Sequence, residues 1–154
     1  MRLPGVKIMA EIPGRILALD VGDARIGVAM SDPLRILARP HSTIDRNKRS
    51  VHLLLELCKS EGVKIVVVGL PINMRGEIES QAQKTIEFKE KLALEAGNRK
   101  LMLEFVLWDE RLTSVSAERL IQGSKLKDKN RRALLDQVSA TLILESYMNS
   151  ISLD

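Results

Sequence analysis

Apolar and polar positions alternate in blocks along the first third of the chain, and each apolar block has the length of a strand. Residues 16–19 are apolar and end on Asp20, and residues 25–30 have strand-like composition after a Gly/Asp turn. Two such runs joined by a Gly/Asp turn are typical of a β-hairpin. Residues 34–43 form a further run after the break at Asp32-Pro33, so the pattern predicts an antiparallel meander of three strands.

Helical and strand-like patterns alternate in the rest of the chain. Residues 64–70 are an almost continuous β-branched run, which indicates a strand buried on both faces and therefore a parallel one. Residues 101–107 form a second apolar strand, and the remaining pattern predicts helices over residues 48–60, 79–96, 115–122 and 133–149. We therefore expect an α/β fold with a mixed five-stranded sheet, three antiparallel strands plus two parallel strands, flanked by helices.

The domain organisation follows from length and punctuation. A chain of 154 residues is long enough for one domain with a sizeable core. Residues 1–14 contain two Pro-Gly pairs and have weak periodicity, so we interpret them as an N-terminal extension. Because no internal repeat or linker marks a second unit, residues 15–150 are predicted to form a single domain.

Composition narrows the class of partner and the compartment. The formal net charge is +4, and aromatic residues make up only 3% of the chain, so nucleic-acid binding would rest on phosphate contacts and shape more than on base stacking. Cys58 is the single cysteine, which excludes an intramolecular disulfide and a Cys-rich zinc site. No apolar run approaches membrane-spanning length, and the N-terminus lacks the pattern of a signal peptide. We expect a cytoplasmic protein that is not associated with a membrane.

The carboxylate at the end of the first strand is the first candidate for chemistry. Asp20 would lie at the end of a buried strand, where it is either a turn residue or a cation ligand. Gly22 and Gly27 have no side chains, so a metal or a phosphate-bearing strand could approach the backbone closely there.

Two further acids could join Asp20: either Asp109 or Glu110, and Asp136. Asp109 and Glu110 follow a predicted parallel strand, which would end at the same edge of the sheet as the strand of Asp20, where ligands of α/β sheets bind. Neighbours on an extended chain point to opposite sides, and the pattern alone does not choose between these two. Asp136 comes from the last helix. Three carboxylates would suit Mg2+ or Mn2+, and two ions about 3.5–4 Å apart can hydrolyse a phosphodiester. The alternative is ordinary polarity at strand ends and on a solvated helix.

Four motifs in order, spread over residues 15–148, resemble the YqgF family, also called the RuvX-like pre-16S rRNA nucleases. They are residues 20–29 (DVGDARIGVA), residues 68–71 (VGLP) with Asn73 and Gly76, residues 109–114 (DERLTS), and Asp136 with Ala140 and residues 143–144. The last motif departs from the family pattern, because residues 137–140 (QVSA) stand where an alanine-rich run is typical. Ser139 is small, so we expect the helix packing to survive.

The resemblance implies an RNase H-like fold related to Holliday-junction resolvases. It also implies trimming of precursor 16S ribosomal RNA in the bacterial cytoplasm with a divalent metal, Mg2+ or Mn2+. Carried over residue by residue, the acidic catalytic and metal-binding site of the family corresponds to Asp20, Glu110 and Asp136. The resemblance thus favours Glu110 over Asp109.

Basic residues close to these motifs then become candidates for contact with nucleic acid. Residues 123–132 (GSKLKDKNRR) are predicted to form a mobile loop that reaches across the site to a phosphate backbone. The candidates are Lys125, Lys127, Lys129, Arg131 and Arg132 in that loop, and Arg75 and Arg111 in loops at the predicted active edge. The alternative is a solvated, charge-rich surface.

The sequence therefore predicts a metal-dependent nuclease that acts on structured RNA, with precursor 16S rRNA or a ribosome precursor as partner, working as a monomer or homodimer. A Holliday-junction resolvase-like DNA endonuclease is an alternative suggested by fold kinship alone. A binding module that retains the fold without cleavage is another. A sugar-kinase or actin-like ATPase also opens with an Asp-x-Gly hairpin, but such proteins pair two domains around the nucleotide, and this chain has room for one.

Overall fold

Five strands and three long helices form the fold of residues 12–113 and 128–152, the part of the chain that the computed structural model describes. The strands are β1 (Arg15–Val21), β2 (Arg25–Ser31), β3 (Ala38–Asp45), β4 (Val63–Leu70) and β5 (Glu104–Asp109). The helices are α1 (Ser50–Glu61), α2 (Ser80–Asn98) and α3 (Asp128–Ser152), and a single 3-10 turn covers Glu110–Leu112. The predicted helix over residues 115–122 lies outside the described residues.

The strands form one mixed sheet in the order β3-β2-β1-β4-β5. The hairpin pairs β1 and β2 antiparallel, β3 continues the meander on β2, and β1, β4 and β5 run parallel. The predicted fold class is thus confirmed. Because β1, β3, β4 and β5 point the same way, all four end at one edge of the sheet, which we call the carboxyl edge.

Helices cover both faces of the sheet, and the alternation of side chains along β1 decides which residues meet which helix. Leu17 and Leu19 join a core with the buried faces of α1 and α2. Ile16 and Ala18 point the other way and pack with the buried face of α3. Continuing this alternation puts the side chain of Asp20 on the α3 face, at the carboxyl edge.

The third strand begins later than its apolar run predicts. Residues 34–37 form a turn because Asp32 captures their backbone: its Oδ1 accepts hydrogen bonds from the amides of Ile36 and Leu37 at 2.8 and 2.7 Å. Arg35 completes the turn in the left-handed region, with a φ of 59°. The strand-like composition of residues 34–37 therefore serves a turn, and pairing starts at Ala38.

The last helix begins five residues earlier than predicted, so the prediction of a loop over residues 123–132 is wrong for its final five residues. Residues 128–132 form the first part of α3. Asp128 in the first turn favours the helix because its charge complements the positive end of the helix dipole, and Lys129, Arg131 and Arg132 are good helix formers. No helix among the described residues has both the length and the apolar character needed to cross a membrane.

The two ends of the chain and the lone cysteine complete the comparison with the sequence. Residues 1–11 lie outside the described residues, and the division into an extension over residues 1–14 and a domain over residues 15–150 stays a prediction.

Cys58 is buried in the α1–α2 core, and burial raises the pKa of its thiol to about 12, so the group stays protonated.

Candidate active site

Two glycines beside Asp20 make room for the carboxylates around it. Gly27 is the cross-strand partner of Asp20, and a Cβ at Gly27 would overlap the backbone carbonyl of Asp136 on α3. A Cβ at Gly69, on the neighbouring strand β4, would lie 2.7 Å from the Oε1 atom of Glu110. The absence of side chains at these positions lets both elements approach Asp20. Gly27 was interpreted as an open path for a metal or phosphate; that interpretation is wrong, because the α3 backbone fills the space.

Glu110 reaches the site because the end of β5 is fastened to α3. The indole Nε1 of Trp108 donates to Ser146 Oγ at 3.0 Å, and that hydroxyl donates to the Leu112 carbonyl at 3.2 Å. Trp108 also makes an edge-to-face contact with Tyr147, with ring centroids 5.5 Å apart. These contacts fix the turn Glu110–Leu112 against α3, with the Glu110 side chain beside Asp20.

Asp109 lies outside this arrangement. Its carboxylate holds the guanidinium of Arg111, with Oδ2 2.7 Å from Nη2, and it accepts the Arg111 amide at 2.9 Å. These bonds lower the pKa of Asp109. Sequence reasoning left Asp109 and Glu110 open, and the structure brings Glu110 beside Asp20.

Asp20 and Glu110 form a partly buried carboxyl pair. Burial is the largest cause of the raised pKa at both residues, and the pKa of Glu110 rises to about 7 with the nearby charge of Asp20 as a second cause. The side chains are hydrogen-bonded, with the protonated Glu110 donating to Asp20, and Ser139 also donates to Asp20. The pair therefore holds a proton where two exposed carboxylates would hold none at neutral pH.

Asp136 is the third acid, and it stands slightly apart. Its negative charge contributes to the raised pKa of Asp20, but its Oδ2 accepts a hydrogen bond from Arg25 Nε at 2.7 Å. Across residues 12–113 and 128–152, no three His, Cys, Asp or Glu side chains lie close enough together to hold a metal ion. The structure thus brings two of the three predicted carboxylates into contact and keeps the third close to them, neutralised by Arg25.

The donor set fits a divalent cation. Carboxylate oxygens are the ligands that Mg2+ and Mn2+ prefer, and a cation between Asp20 and Glu110 would replace the proton that they share. Asp20 and Glu110 would hold such an ion directly. Arg25 occupies the Oδ2 atom of Asp136, so Oδ1 is the oxygen that Asp136 would offer to such an ion.

The family can be stated from comparison with known proteins. A family model described as "RuvX: Holliday junction resolvase" matches residues 14–150. The chain belongs to the RuvX family. The resemblance found in the sequence motifs is thereby confirmed.

Individual relatives agree with this assignment. A protein of Roseiflexus sp. (strain RS-1) named "Putative pre-16S rRNA nuclease" is 43% identical over 145 residues, 92% of this chain and 99% of the relative. A protein of the same name from Clostridium novyi (strain NT) is 41% identical over 139 residues, 89% of this chain and 99% of the relative.

Solved structures agree on the fold. Thermus thermophilus RuvC in complex with a Holliday junction substrate aligns with a TM-score of 0.53 and 11% identity, covering 89% of this chain and 96% of RuvC. The yeast mitochondrial resolvase Ydc2 aligns with a TM-score of 0.52 and 10% identity, covering 88% of this chain and 78% of Ydc2. At this identity the likeness shows the RNase H-like resolvase fold alone.

The basic residues predicted to contact nucleic acid are placed unequally. Arg75 is exposed in the loop after β4, at the carboxyl edge, whereas Arg111 is held by Asp109. Lys129 and Arg132 are exposed at the start of α3, and Arg131 is half-buried there. Lys125 and Lys127 lie outside the described residues.

Sequence reasoning missed three residues that shape the site. Arg25 and Gly69 were noticed only as parts of strands and motifs, and Ser139 only for its small size. Their roles depend on contacts between elements that are distant in sequence: β2 with α3 for Arg25, β4 with the turn after β5 for Gly69, and α3 with β1 for Ser139. The signal that could have found Arg25 is its place in the same hairpin as Asp20, since a basic residue near acids is a natural counter-ion.

The carboxyl pair makes stability depend on pH. Since Glu110 keeps its proton in the folded chain up to about pH 7 and loses it near its ordinary pKa of 4.5 when unfolded, its contribution is complete below about pH 4.5 and is lost as the pH rises through about 7. Between pH 5 and pH 7.5 the loss amounts to roughly 2–3 kcal/mol. Urea unfolding in chelator at pH 5 and 7.5 should show this decline in wild type, and Glu110→Gln should remove most of it. Parallel pH profiles for the two proteins would contradict the shared proton.

Proposed function

We propose that the protein is a metal-dependent nuclease in which Asp20, Glu110 and Asp136 form the catalytic, metal-binding site. As a member of the RuvX family with relatives named as pre-16S rRNA nucleases, it is a hydrolytic nuclease that acts in rRNA processing. Its substrate is the precursor 16S rRNA end, free or in a ribosome precursor, in the bacterial cytoplasm. It works as a monomer or homodimer.

The observation that carries this proposal is the carboxyl pair at the carboxyl edge. Burying two acids side by side at the end of β1 and β5 costs stability, because each disfavours ionisation of the other. Two fixed glycines and the Trp108–Ser146 contact maintain that arrangement. A fold that retains so unfavourable a cluster at the ligand-binding edge of the sheet fits a functional site better than a structural one.

The chemistry follows from the groups present. A bound divalent cation, Mg2+ or Mn2+, would activate a water and stabilise the leaving oxygen of a phosphodiester. Asp20 and Glu110 would hold and orient that ion after releasing their shared proton, and Ser139 would keep the Asp20 carboxylate in place. Arg25 would hold Asp136 in place through Oδ2 and leave Oδ1 for the ion.

A second substrate is favoured by one specific observation, the description of the matching family model as a Holliday junction resolvase. A four-way DNA junction presents the same phosphodiester chemistry. It therefore belongs beside the precursor RNA in any assay of this protein.

Neighbouring acids at the end of β5 offer a matched test of the site. Glu110→Gln should lower the rate of cleavage of a precursor 16S rRNA end in Mg2+ or Mn2+ by at least about 100-fold. Asp109→Asn removes the same charge one residue away. Its cleavage rate should stay within a few-fold of that of wild type, because the Asp109 carboxylate binds Arg111 and not Asp20. The measurement is single-turnover cleavage on denaturing gels.

Three results would change the account. A large loss of cleavage in Asp109→Asn, with near-normal cleavage by Glu110→Gln, would show that Asp109 and not Glu110 belongs to the site. Wild type that cuts only the four-way junction would replace the RNA substrate with DNA. Wild type that binds RNA in a salt-sensitive way but cuts neither substrate would leave a binding module.

A further inference from the structure

A basic groove lies at the carboxyl edge on the sheet face opposite α3. It has a volume of about 510 Å³ and is lined by residues from the β1–β2 turn, from α1 and the segment before it, and from α2. Arg46, Lys48 and Lys91 supply its cations, and Asp23 its single acid. None of these residues belongs to the carboxylate site or to the basic positions that the sequence singled out.

Arg46 is held firmly in the groove. Its Nη1 donates to the Gly22 carbonyl at 3.0 Å, and its guanidinium lies 5.2 Å from the ring centroid of Phe88. The backbone amide of Arg46 also donates to the Ala24 carbonyl at 2.9 Å. Arg46 thus braces the turn that begins two residues after Asp20, and the remaining guanidinium N–H groups are available to a ligand.

Lys48 and Lys91 supply cations without partners. Both are exposed, and neither side chain makes an ion pair or hydrogen bond within the described part of the chain. The only acid of the groove, Asp23, is paired with Lys84 at 3.6 Å. The groove therefore has an excess of positive charge facing solvent, which attracts a polyanion.

We propose that this groove binds the phosphodiester backbone of the RNA substrate where it continues past the carboxylate site. The proposal rests on the proposed nuclease function. The carboxylate site lies on the α3 face of the sheet, because Asp20 points toward α3, Glu110 lies beside Asp20, and α3 carries Asp136. Since the groove lies on the opposite face, a bound strand would cross the carboxyl edge from one face to the other. Phe88 is buried beneath Arg46 and offers no face to a base, so the groove contacts phosphates and carries no sequence preference.

A pair of double variants of the full chain tests the groove. Lys48→Gln with Lys91→Gln removes its two free cations. Lys59→Gln with Lys100→Gln removes two exposed cations at the opposite edge of the sheet and serves as the control of equal charge. Binding of a fluorescent single-stranded RNA oligonucleotide is measured in chelator over a range of salt concentrations, and thermal unfolding checks that each variant folds.

The groove variant should bind the RNA several-fold more weakly, and the slope of log K against log salt should become shallower by about 1.4, the value for two lost phosphate contacts on a single strand. The control should keep the wild-type slope. The proposal that the groove binds RNA is overturned if the groove variant keeps the wild-type slope, or if the slope of the control falls by as much as that of the groove variant.

A cleavage assay with Mn2+ separates this proposal from the proposed function. If the groove variant has a shallower salt slope and wild type does not cleave, the groove binds RNA but the protein is not a nuclease. Cleavage by wild type with an unchanged slope in the groove variant would refute the groove and keep the nuclease.

Discussion

Asp20→Asn should reduce cleavage of the precursor 16S rRNA end by roughly 1,000-fold or more. Asp20 is the carboxylate that contacts Glu110 and feels the charge of Asp136, so its loss removes the centre of the proposed metal site. Metal-ion stabilisation of a developing oxyanion is worth several kcal/mol, and each 1.4 kcal/mol or so is a factor of ten in rate. Single-turnover cleavage in Mg2+ or Mn2+ measures the effect.

Stability separates a lost function from a lost fold in this variant. Burial and the neighbouring acid disfavour the ionised form of Asp20. In the presence of a metal chelator, Asp20→Asn should therefore be at least as resistant to urea as wild type at pH 7.5. Asp45→Asn is the matched control, since Asp45 ends β3 at the same edge and is exposed. Asp45→Asn should cleave normally. Asp20→Asn protein that is folded and fully active would remove Asp20 from the mechanism.

Gly27→Ala should destabilise the protein by about 3 kcal/mol or more and should open the active site. The new methyl group would overlap the Asp136 carbonyl of α3, and a helix backbone cannot move aside as a flexible side chain does. Overpacking of this kind costs about 1–3 kcal/mol in a typical core, and more where backbone must shift. Urea unfolding measures the loss, and cleavage should fall with it because Asp136 is carried away from Asp20.

Gly97→Ala provides the control for the glycine itself. Gly97 lies in the last turn of α2, and a Cβ there meets nothing within 4 Å. Replacing a helical glycine with alanine stabilises by up to about 1 kcal/mol, so this variant should be slightly more stable than wild type. If Gly27→Ala were as stable as Gly97→Ala, α3 would not pack against β2 as described.

The sheet could be predicted because its signals are local. The β-branched run of β4 and the Gly/Asp turn between β1 and β2 each identify an element without knowledge of its neighbours. The start of β3 could not be predicted in the same way, because the apolar residues before it donate their backbone amides to the Asp32 carboxylate and are held out of the strand. The start of α3 was missed because a dense run of charge has the composition of a loop.

The candidate site divides along the same line. Asp20 could be placed at a strand end from its own segment, but the choice between Asp109 and Glu110 depends on how the end of β5 is fastened to α3. The Arg25–Asp136 contact joins residues 111 positions apart, so no local pattern contains it. The family resemblance favoured Glu110 over Asp109, and the structure supplies the physical reason why Glu110 lies beside Asp20.

Calorimetric titration of Mn2+ into the purified protein tests the central claim, that the carboxyl pair exchanges its proton for a divalent cation. The titration is run at pH 6 in two buffers of different ionisation enthalpy, so that the number of protons released is measured along with the affinity. Since the pKa of Glu110 is about 7, wild type should bind Mn2+ and release about one proton, while Asp20→Asn should bind far more weakly. Absence of Mn2+ binding by wild type, or equal binding and proton release by Asp20→Asn, would contradict the account.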